Sequence, residues 1–232
     1  MSKVSDEQKV ELSRLGSTRF AVFASGRGSN FEAVYRDMEA GKIDGEIACL
    51  ISNNRSAPAR ERAEGFGIPS YHKTDSQFGS ESDYVRDVTG LLEKHQIDYI
   101  LLAGYMKKIP ASLLDAFPGR IVNIHPALLP SFGGKGYYGK RVHEAVIERG
   151  VKWTGVTVHF VDEIYDHGPI IYQYPIRVHE EDTPESLGQR VLQYEHKAYP
   201  RVVRWLSKGW ISVDGMKTYY SGPEEEWEIS IT

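Results

Sequence analysis

The amino-acid sequence predicts an α/β fold: a mostly parallel twisted sheet with helices on both faces and an antiparallel C-terminal portion. Continuous apolar segments alternate with helical segments over about the first half of the chain, and strands that are apolar on both faces are typical of buried parallel sheets. In the second half, two segments alternate between apolar and polar residues, which indicates half-exposed strands. The 232 residues contain no repeat and no clear linker, so one main domain is expected.

The elements of the first half follow one another in strand–helix order. Short continuous apolar runs predict strands at residues 20–25, 46–52, 68–72, 98–102 and 120–124. Between them, helices are predicted at residues 31–41, 59–67, 82–95 and 111–117. The third of these helices has apolar residues at helical spacing, namely Val85, Val88, Leu91 and Leu92.

The elements of the second half have a different pattern. A helix is predicted at residues 141–148, half-exposed strands at 154–162 and 169–176, and a long helix after residue 183. Thr183 is the expected N-cap, with Pro184 at the first helical position, and Pro200 predicts a kink or a break. The main domain is placed at residues 19–210, between a polar leader at 1–18 and a hairpin with an acidic tail at 211–232.

Composition and charge exclude several classes of protein. The chain has 28 basic and 32 acidic side chains and a net charge of −4, so we expect no binding to nucleic acid through its overall field. No apolar run approaches the length of about 18 residues that a membrane helix needs, so no membrane partner is expected. Cys49 is the one cysteine and lies in an apolar run. We interpret it as a buried thiol, and a cytoplasmic location fits this cysteine usage.

The first candidate site is SGRGSN, residues 25–30, which leaves the first strand and enters a helix. Its glycines permit a tight turn, and the free N–H groups at the start of the helix favour an anion such as phosphate. Neither the dinucleotide pattern G-x-G-x-x-G nor the G-K-[ST] ending of a Walker loop is present. The alternative is a purely structural turn in which Ser29 or Asn30 caps the helix.

The second candidate site is NIHPALLP, residues 123–130, at the carboxyl end of a predicted strand. Asn123 and His125 are two residues apart and therefore lie on one face of that strand. Open α/β sheets bind their ligands at the carboxyl ends of parallel strands. The amide can donate to a carbonyl oxygen, and the imidazole can act as acid, base or cation. The alternative is a capping asparagine beside a hydrogen-bonded core histidine.

The third candidate site is the connector at residues 162–168, where four ionisable side chains crowd into a turn. A carboxylate placed against His125 would favour its imidazolium form. The sequence leaves open which side chain of the connector reaches it: Asp162, Glu163, Asp166 or His167. No metal is expected, because the histidines are scattered and no H-E-x-x-H motif or cysteine pair occurs. Three further ionisable residues are interpreted as surface groups, namely His143, Glu144 and His179.

Together, SGRGSN, NIHPALLP and HFVDEIYDHGPII resemble the phosphoribosylglycinamide formyltransferases of purine biosynthesis, over residues 19–210. The resemblance implies a Rossmann-like formyltransferase fold. It also implies two small-molecule substrates: 10-formyltetrahydrofolate as the formyl donor and glycinamide ribonucleotide (GAR) as the acceptor. The sequence leaves open whether the protein is a monomer or a homodimer.

The resemblance also implies roles for individual residues. The catalytic residues would be Asn123, His125 and Asp166. The residues that bind the phosphate and glycinamide of GAR would be Gly28, Ser29, Asn30 and Glu195. The folate would contact Met106, Lys107, Lys108, Ile109 and Asn123, and the loop at 162–166 would surround its pterin ring. Lys107 and Lys108 stand where the family often has an arginine, and lysine cannot form the bidentate contact of arginine. The glycine-rich segment at 133–139 is either a lid over the nucleotide or a loop specific to this lineage.

The expected chemistry is attack of the GAR amine on the formyl carbon. Asn123 and a protonated His125 would stabilise the tetrahedral oxyanion, and Asp166 would keep His125 charged and assist proton transfer.

Four other functions are alternatives to this interpretation: three enzyme activities and one binding module without catalytic activity. A formyltetrahydrofolate hydrolase and an initiator-tRNA formyltransferase usually have an additional domain. About 18 residues precede the first strand and about 22 follow residue 210, which we interpret as too few. A sugar-amine formyltransferase would not need the phosphate loop, and the intact set of Asn123, His125 and Asp166 argues against a catalytically silent nucleotide-binding module.

Overall fold

The computed structural model describes residues 17–227 of the chain, and a seven-stranded sheet lies at its centre. Its strands are β1 (Thr18–Phe23), β2 (Gly45–Ser52), β3 (Ser70–His72), β4 (Tyr99–Leu102), β5 (Ile121–His125), β6 (Trp153–Phe160) and β7 (Ile170–Arg177). Their order is β3-β2-β1-β4-β5-β6-β7. The first five are parallel, and β6 and β7 join antiparallel. The predicted mostly parallel sheet with an antiparallel C-terminal portion is confirmed.

Within residues 17–227, six α-helices surround this sheet. They are α1 (Ser29–Glu39), α2 (Pro58–Gly65), α3 (Glu81–Lys94), α4 (Ala111–Ala116), α5 (Lys140–Arg149) and α6 (Pro184–Ser207). One apolar cluster packs α1, α2, α5 and α6 on one face of the sheet, and a second packs α3 and α4 on the other. Alternate residues of β1 divide between the two clusters, Phe20 and Val22 against Ala21 and Phe23. Helices therefore cover both faces, as predicted.

A two-stranded hairpin of β8 (Ile211–Asp214) and β9 (Lys217–Tyr220) follows α6, as the sequence predicts. Residues 1–16 of the expected leader and residues 228–232 of the expected tail lie outside the described residues. Cys49 is a buried thiol, as predicted, and burial raises its pKa to about 12. Within residues 17–227, no helix is both long and apolar enough to cross a membrane.

The prediction that β6 is half-exposed is wrong, because both faces of this strand are buried. Val156 and Val158 face the core, as their alternation predicts. Thr157, on the opposite face, is also buried. Its hydroxyl donates to the carbonyl of Ala127 (2.7 Å) and accepts from the amide of Leu129 (3.0 Å). The chain that follows β5 therefore covers the polar face of β6, and polarity alternation does not reveal such a cover.

Helix α6 begins after the predicted N-cap, Thr183, and Pro200 does not break it. The Thr183 side chain accepts from the Ser186 amide, the Ser186 side chain accepts from the Thr183 amide, and Pro184 occupies the first turn. Pro200 lies inside the helix without ending it. The neighbouring Tyr199 is fully buried, and its hydroxyl donates a hydrogen bond shared between carbonyls of β4 (2.9 Å) and β5 (3.1 Å). Packing on the sheet thus outweighs the backbone hydrogen bond that proline removes.

Candidate active site

A cavity of about 880 Å³ opens where β1, β4 and β5 end. Its walls come from residues 26–30, 102–109, 123–126, 134–140, 159–166 and 184–195, together with His143. Every predicted site residue lines it, namely Gly28, Ser29, Asn30, Met106, Lys107, Lys108, Ile109, Asn123, His125, Asp166 and Glu195. The carboxyl ends of the parallel strands thus bring these distant segments together, as expected for an open α/β sheet.

Loop 25–30 joins β1 to α1 at one end of the cavity. Gly28 is the N-cap, with φ 71°, and a Cβ placed there would lie 2.7 Å from the Cβ of Ala59. Glycine is required on both counts. The alternative of a cap by Ser29 or Asn30 is wrong, because no side chain caps α1. The first N–H groups of α1 have no intrahelical acceptors, and they form a position suited to an anion.

Asn30 and Glu195 form a buried polar pair between α1 and α6. The Asn30 amide nitrogen donates to Glu195 Oε2 at 2.8 Å. Burial raises the pKa of Glu195 to about 7, although this hydrogen bond acts in the opposite direction. Asn30 Oδ1 is buried, and no group within residues 17–227 donates a hydrogen bond to it. The pair therefore presents, beside the cavity, a carboxyl group that is only partly ionised at neutral pH and an amide oxygen that accepts no hydrogen bond from residues 17–227.

Asn123 and His125 both come from β5, and Asp166 meets them from the connector between β6 and β7. His125 Nδ1 lies 3.5 Å from Asp166 Oδ2, with only 4% and 11% of the two side chains exposed. This contact answers which acid of the connector reaches His125. Asp162 pairs instead with His167 at 2.6 Å. Asp166 adopts φ 55°, a left-handed conformation that aspartate tolerates better than most residues.

The proton positions on His125 follow from its partners. Nε2 lies 2.8 Å from the carbonyl oxygen of Phe132, and a carbonyl only accepts, so Nε2 holds a proton. Burial lowers the pKa of His125, and this effect exceeds the opposing effects of Asp166 and of the Phe132 carbonyl. Nδ1 is the ring nitrogen that faces the Asp166 carboxyl group. That Asp166 holds His125 as an imidazolium stays a prediction about the reacting complex.

His159 belongs to the site although the sequence did not single it out. Its Nδ1–H donates to the Phe160 carbonyl at 2.8 Å, so its Nε2 is an acceptor for the Asn123 amide nitrogen at 3.2 Å. The same Nε2 is 3.8 Å from Asp166 Oδ1. Antiparallel pairing places His159 directly opposite Asn123. Only the strand register reveals this contact, and the sequence does not give that register.

The glycine-rich segment 133–139 forms part of the cavity wall and contacts the reactive pair. The Gly134 amide donates to Asp166 Oδ2 at 2.8 Å, and Phe132, just before the segment, supplies the carbonyl that His125 contacts.

His143 follows on α5 and is 7% exposed, so its interpretation as a surface group is wrong: it lies on the face of α5 that packs on α6. Glu144 and His179 are exposed, as predicted.

Three of the predicted folate residues, Met106, Lys107 and Lys108, are exposed and lie at the mouth of the cavity. Ile109 is buried in the core, whereas Lys107 and Lys108 are exposed. Exposed apolar side chains surround this mouth, namely Met106, Tyr137, Tyr138, Ile164 and Tyr165. The mouth therefore combines apolar surface with positive charge. Within residues 17–227, no cluster of three histidine, cysteine or acidic residues is arranged to hold a metal ion.

Comparison with known proteins shows the family to which the chain is similar. The formyl transferase family model matches residues 18–203. The chain is 46% identical over 189 residues to the chloroplastic phosphoribosylglycinamide formyltransferase of Arabidopsis thaliana, which covers 80% of this chain and 64% of that protein. It is 42% identical over 188 residues to the phosphoribosylglycinamide formyltransferase of Bacillus subtilis (strain 168), covering 81% of this chain and 94% of that protein.

A solved structure shows the same architecture. The crystal structure of glycinamide ribonucleotide transformylase 1 from Symbiobacterium toebii matches with a TM-score of 0.83 and 35% identity, covering 89% of this chain and 95% of that chain. The resemblance inferred from three sequence motifs is thereby confirmed. The chain belongs to the formyl transferase family.

Proposed function

We propose that the chain transfers a formyl group from 10-formyltetrahydrofolate to the glycine amine of GAR, a step of purine biosynthesis. The main support is that Asn123, His125 and Asp166 converge in one cavity with a helix N-terminus suited to phosphate. The names of the plant and Bacillus relatives support formyl transfer to phosphoribosylglycinamide.

The nucleotide would bind at the α1 end of the cavity. The phosphate would accept hydrogen bonds from the N–H groups of residues 28–30, where the helix dipole favours negative charge. The glycinamide part would contact Glu195, and the unused Asn30 Oδ1 is available to a donor on the substrate. Fixing the nucleotide in this way lowers the entropic part of the barrier to transfer.

The folate would enter through the apolar mouth. Met106, Ile164 and Tyr165 offer exposed apolar surface for the ring system, and apolar walls with a few polar groups are typical of such sites. Lys107 and Lys108 place positive charge near the carboxylates of the folate tail, although Lys107 also pairs with Asp75 at 3.2 Å. This arrangement directs the formyl group towards His125, deeper in the cavity.

The amine of GAR would attack the formyl carbon and form a C–N bond with a tetrahedral oxyanion. Asn123 would donate one amide N–H to that oxygen while the other N–H remains on His159. One such donor contributes ~3 kcal/mol to the transition state. His125 Nδ1 would accept the proton that the amine loses, and Asp166 would stabilise the resulting imidazolium. His125 would then return the proton to the folate nitrogen as the second C–N bond breaks.

The test is to incubate the protein with 10-formyltetrahydrofolate alone, with GAR added and, in a separate reaction, with an amino sugar added. We expect tetrahydrofolate and formylated nucleotide in equal amounts, and only when GAR is present. Tetrahydrofolate formed without GAR would indicate the hydrolase instead. Formyl transfer to an amino sugar but not to GAR would indicate the sugar-amine enzyme. No product under any condition would indicate a silent nucleotide-binding module.

A further inference from the structure

His143 is a buried histidine at the cavity that the proposed chemistry does not use. It lies on α5, lines the cavity and is 7% exposed. Its Nδ1 is buried and has no hydrogen-bond partner within residues 17–227. A neutral imidazole has one donor nitrogen and one acceptor nitrogen, so the unpartnered Nδ1 bears on which of the two nitrogens holds the proton.

Gly188 makes room for this imidazole. It lies inside α6 and also lines the cavity. A Cβ placed on it would be 2.9 Å from Cδ2 and 3.3 Å from Nε2 of His143. Glycine inside a helix weakens the helix relative to alanine, so its presence here has a cost in stability. The close contact shows that any side chain at residue 188 would displace the ring edge that contains Nε2.

The protonation of the ring follows from its surroundings. Burial lowers the pKa of His143, and the nearby His125 lowers it further, so the ring is neutral and holds one proton. A buried N–H with no acceptor is rarer in proteins than an unfilled acceptor. The proton therefore belongs on Nε2 rather than on the buried Nδ1. Nε2–H is then the donor that His143, as a residue lining the cavity, can offer to a ligand.

We propose that His143 Nε2–H binds an oxygen atom in the ribose–glycinamide part of GAR, an inference that rests on the proposed function. Gly188 and Glu195 are seven residues apart on α6 and so lie on the same face of that helix. His143, seated against Gly188, thus shares a cavity wall with the expected glycinamide contact. The exposed folate residues of loop 106–109 lie at the mouth instead.

The test compares three substitutions of His143. Asn places its side-chain amide near the position of Nδ1, Gln reaches the position of Nε2, and Phe retains the ring without a donor. We expect His143→Phe and His143→Asn to raise the KM for GAR about tenfold, the usual effect of losing one hydrogen bond to a ligand. The KM for 10-formyltetrahydrofolate should stay within twofold. His143→Gln should recover most of the affinity for GAR.

Calorimetric titration locates the oxygen and separates this proposal from the proposed function. Weaker binding of both ribose 5-phosphate and GAR to His143→Phe would place the oxygen on the ribose; weaker binding of GAR alone would place it on the glycinamide. Unchanged binding of both would overturn the proposal, as would equal increases in the KM of both substrates or a Gln variant no better than Asn. A wild-type protein that binds GAR but transfers no formyl group would refute only the proposed function.

Discussion

Glu195 is a carboxylic acid that the fold keeps largely protonated up to neutral pH. Burial raises its pKa from 4.5 to about 7, so between these values the folded chain holds a proton that the unfolded chain has lost. The free energy of unfolding therefore falls as the pH rises from about 4.5 to about 7, and the loss is complete above that range. At about 1.4 kcal/mol per pKa unit, the loss is about 3 kcal/mol.

We predict that Glu195→Gln removes this pH dependence, because glutamine has no proton to lose and can still accept the Asn30 hydrogen bond. Urea unfolding at about pH 5 and about pH 8 measures it. The variant should gain about 3 kcal/mol over the wild type at the higher pH. Glu148→Gln, at an exposed position of α5, should keep the wild-type profile. The same profile for Glu195→Gln would contradict a buried, protonated carboxyl group.

Single residues could be predicted where spacing along one strand decides their position. Asn123 and His125 are two residues apart, so a shared face follows from the geometry of a strand. The choice of Asp166 could not be derived from spacing, because it depends on a turn in which Asp162 is occupied by His167. His159 was missed because its contact with Asn123 depends on strand register.

Loop 25–30 is the element in which backbone conformation matters most for the proposed phosphate site. We predict that Gly28→Ala lowers the free energy of unfolding by about 2–4 kcal/mol, because alanine meets both a positive φ and the Ala59 side chain. Gly26→Ala is the matched control: nothing lies within 4 Å of the added Cβ, so its effect should stay within about 0.5 kcal/mol. Urea unfolding measures both changes, and equal effects would contradict the geometry described.

One hydroxyl of β6, that of Thr157, forms two hydrogen bonds with the segment that covers the polar face of the strand. We predict that Thr157→Val lowers the free energy of unfolding by about 2–3 kcal/mol, because the Leu129 amide and the Ala127 carbonyl lose their partner. Thr157→Ser keeps the hydroxyl and should cost only about 1 kcal/mol, through the lost methyl group. Thermal or urea unfolding distinguishes them. A valine variant as stable as the serine variant would show that these hydrogen bonds contribute nothing.

Elements were predictable where a local signal defines them. The predicted strand at 46–52 and helix at 82–95 each begin and end within one residue of β2 and α3, because an apolar run and a helical period are properties of the segment itself. The burial of β6 and the continuity of α6 through Pro200 were not predictable. Both depend on what packs against the element: the chain after β5 in one case, the sheet in the other.

At the scale of the whole molecule, the site exists because three segments far apart in sequence meet at one edge of the sheet. β5 supplies Asn123 and His125, the connector after β6 supplies Asp166, and the start of α1 completes the cavity. The parallel order of β1, β4 and β5 could be expected from alternating strands and helices. The return of β6 beside β5 could not, and that antiparallel pairing brings the connector to His125.

The most direct test of this convergence is the turnover number of His125→Ala and Asp166→Asn with both substrates saturating. We predict that each variant loses a factor of about 10²–10⁴ in kcat, as expected when a proton-transfer group is removed. Each KM should change only a few-fold, because the binding segments remain in place. Asp115→Asn, an exposed carboxylate on α4, should retain the wild-type rate. Near-normal turnover in both His125→Ala and Asp166→Asn would contradict the account.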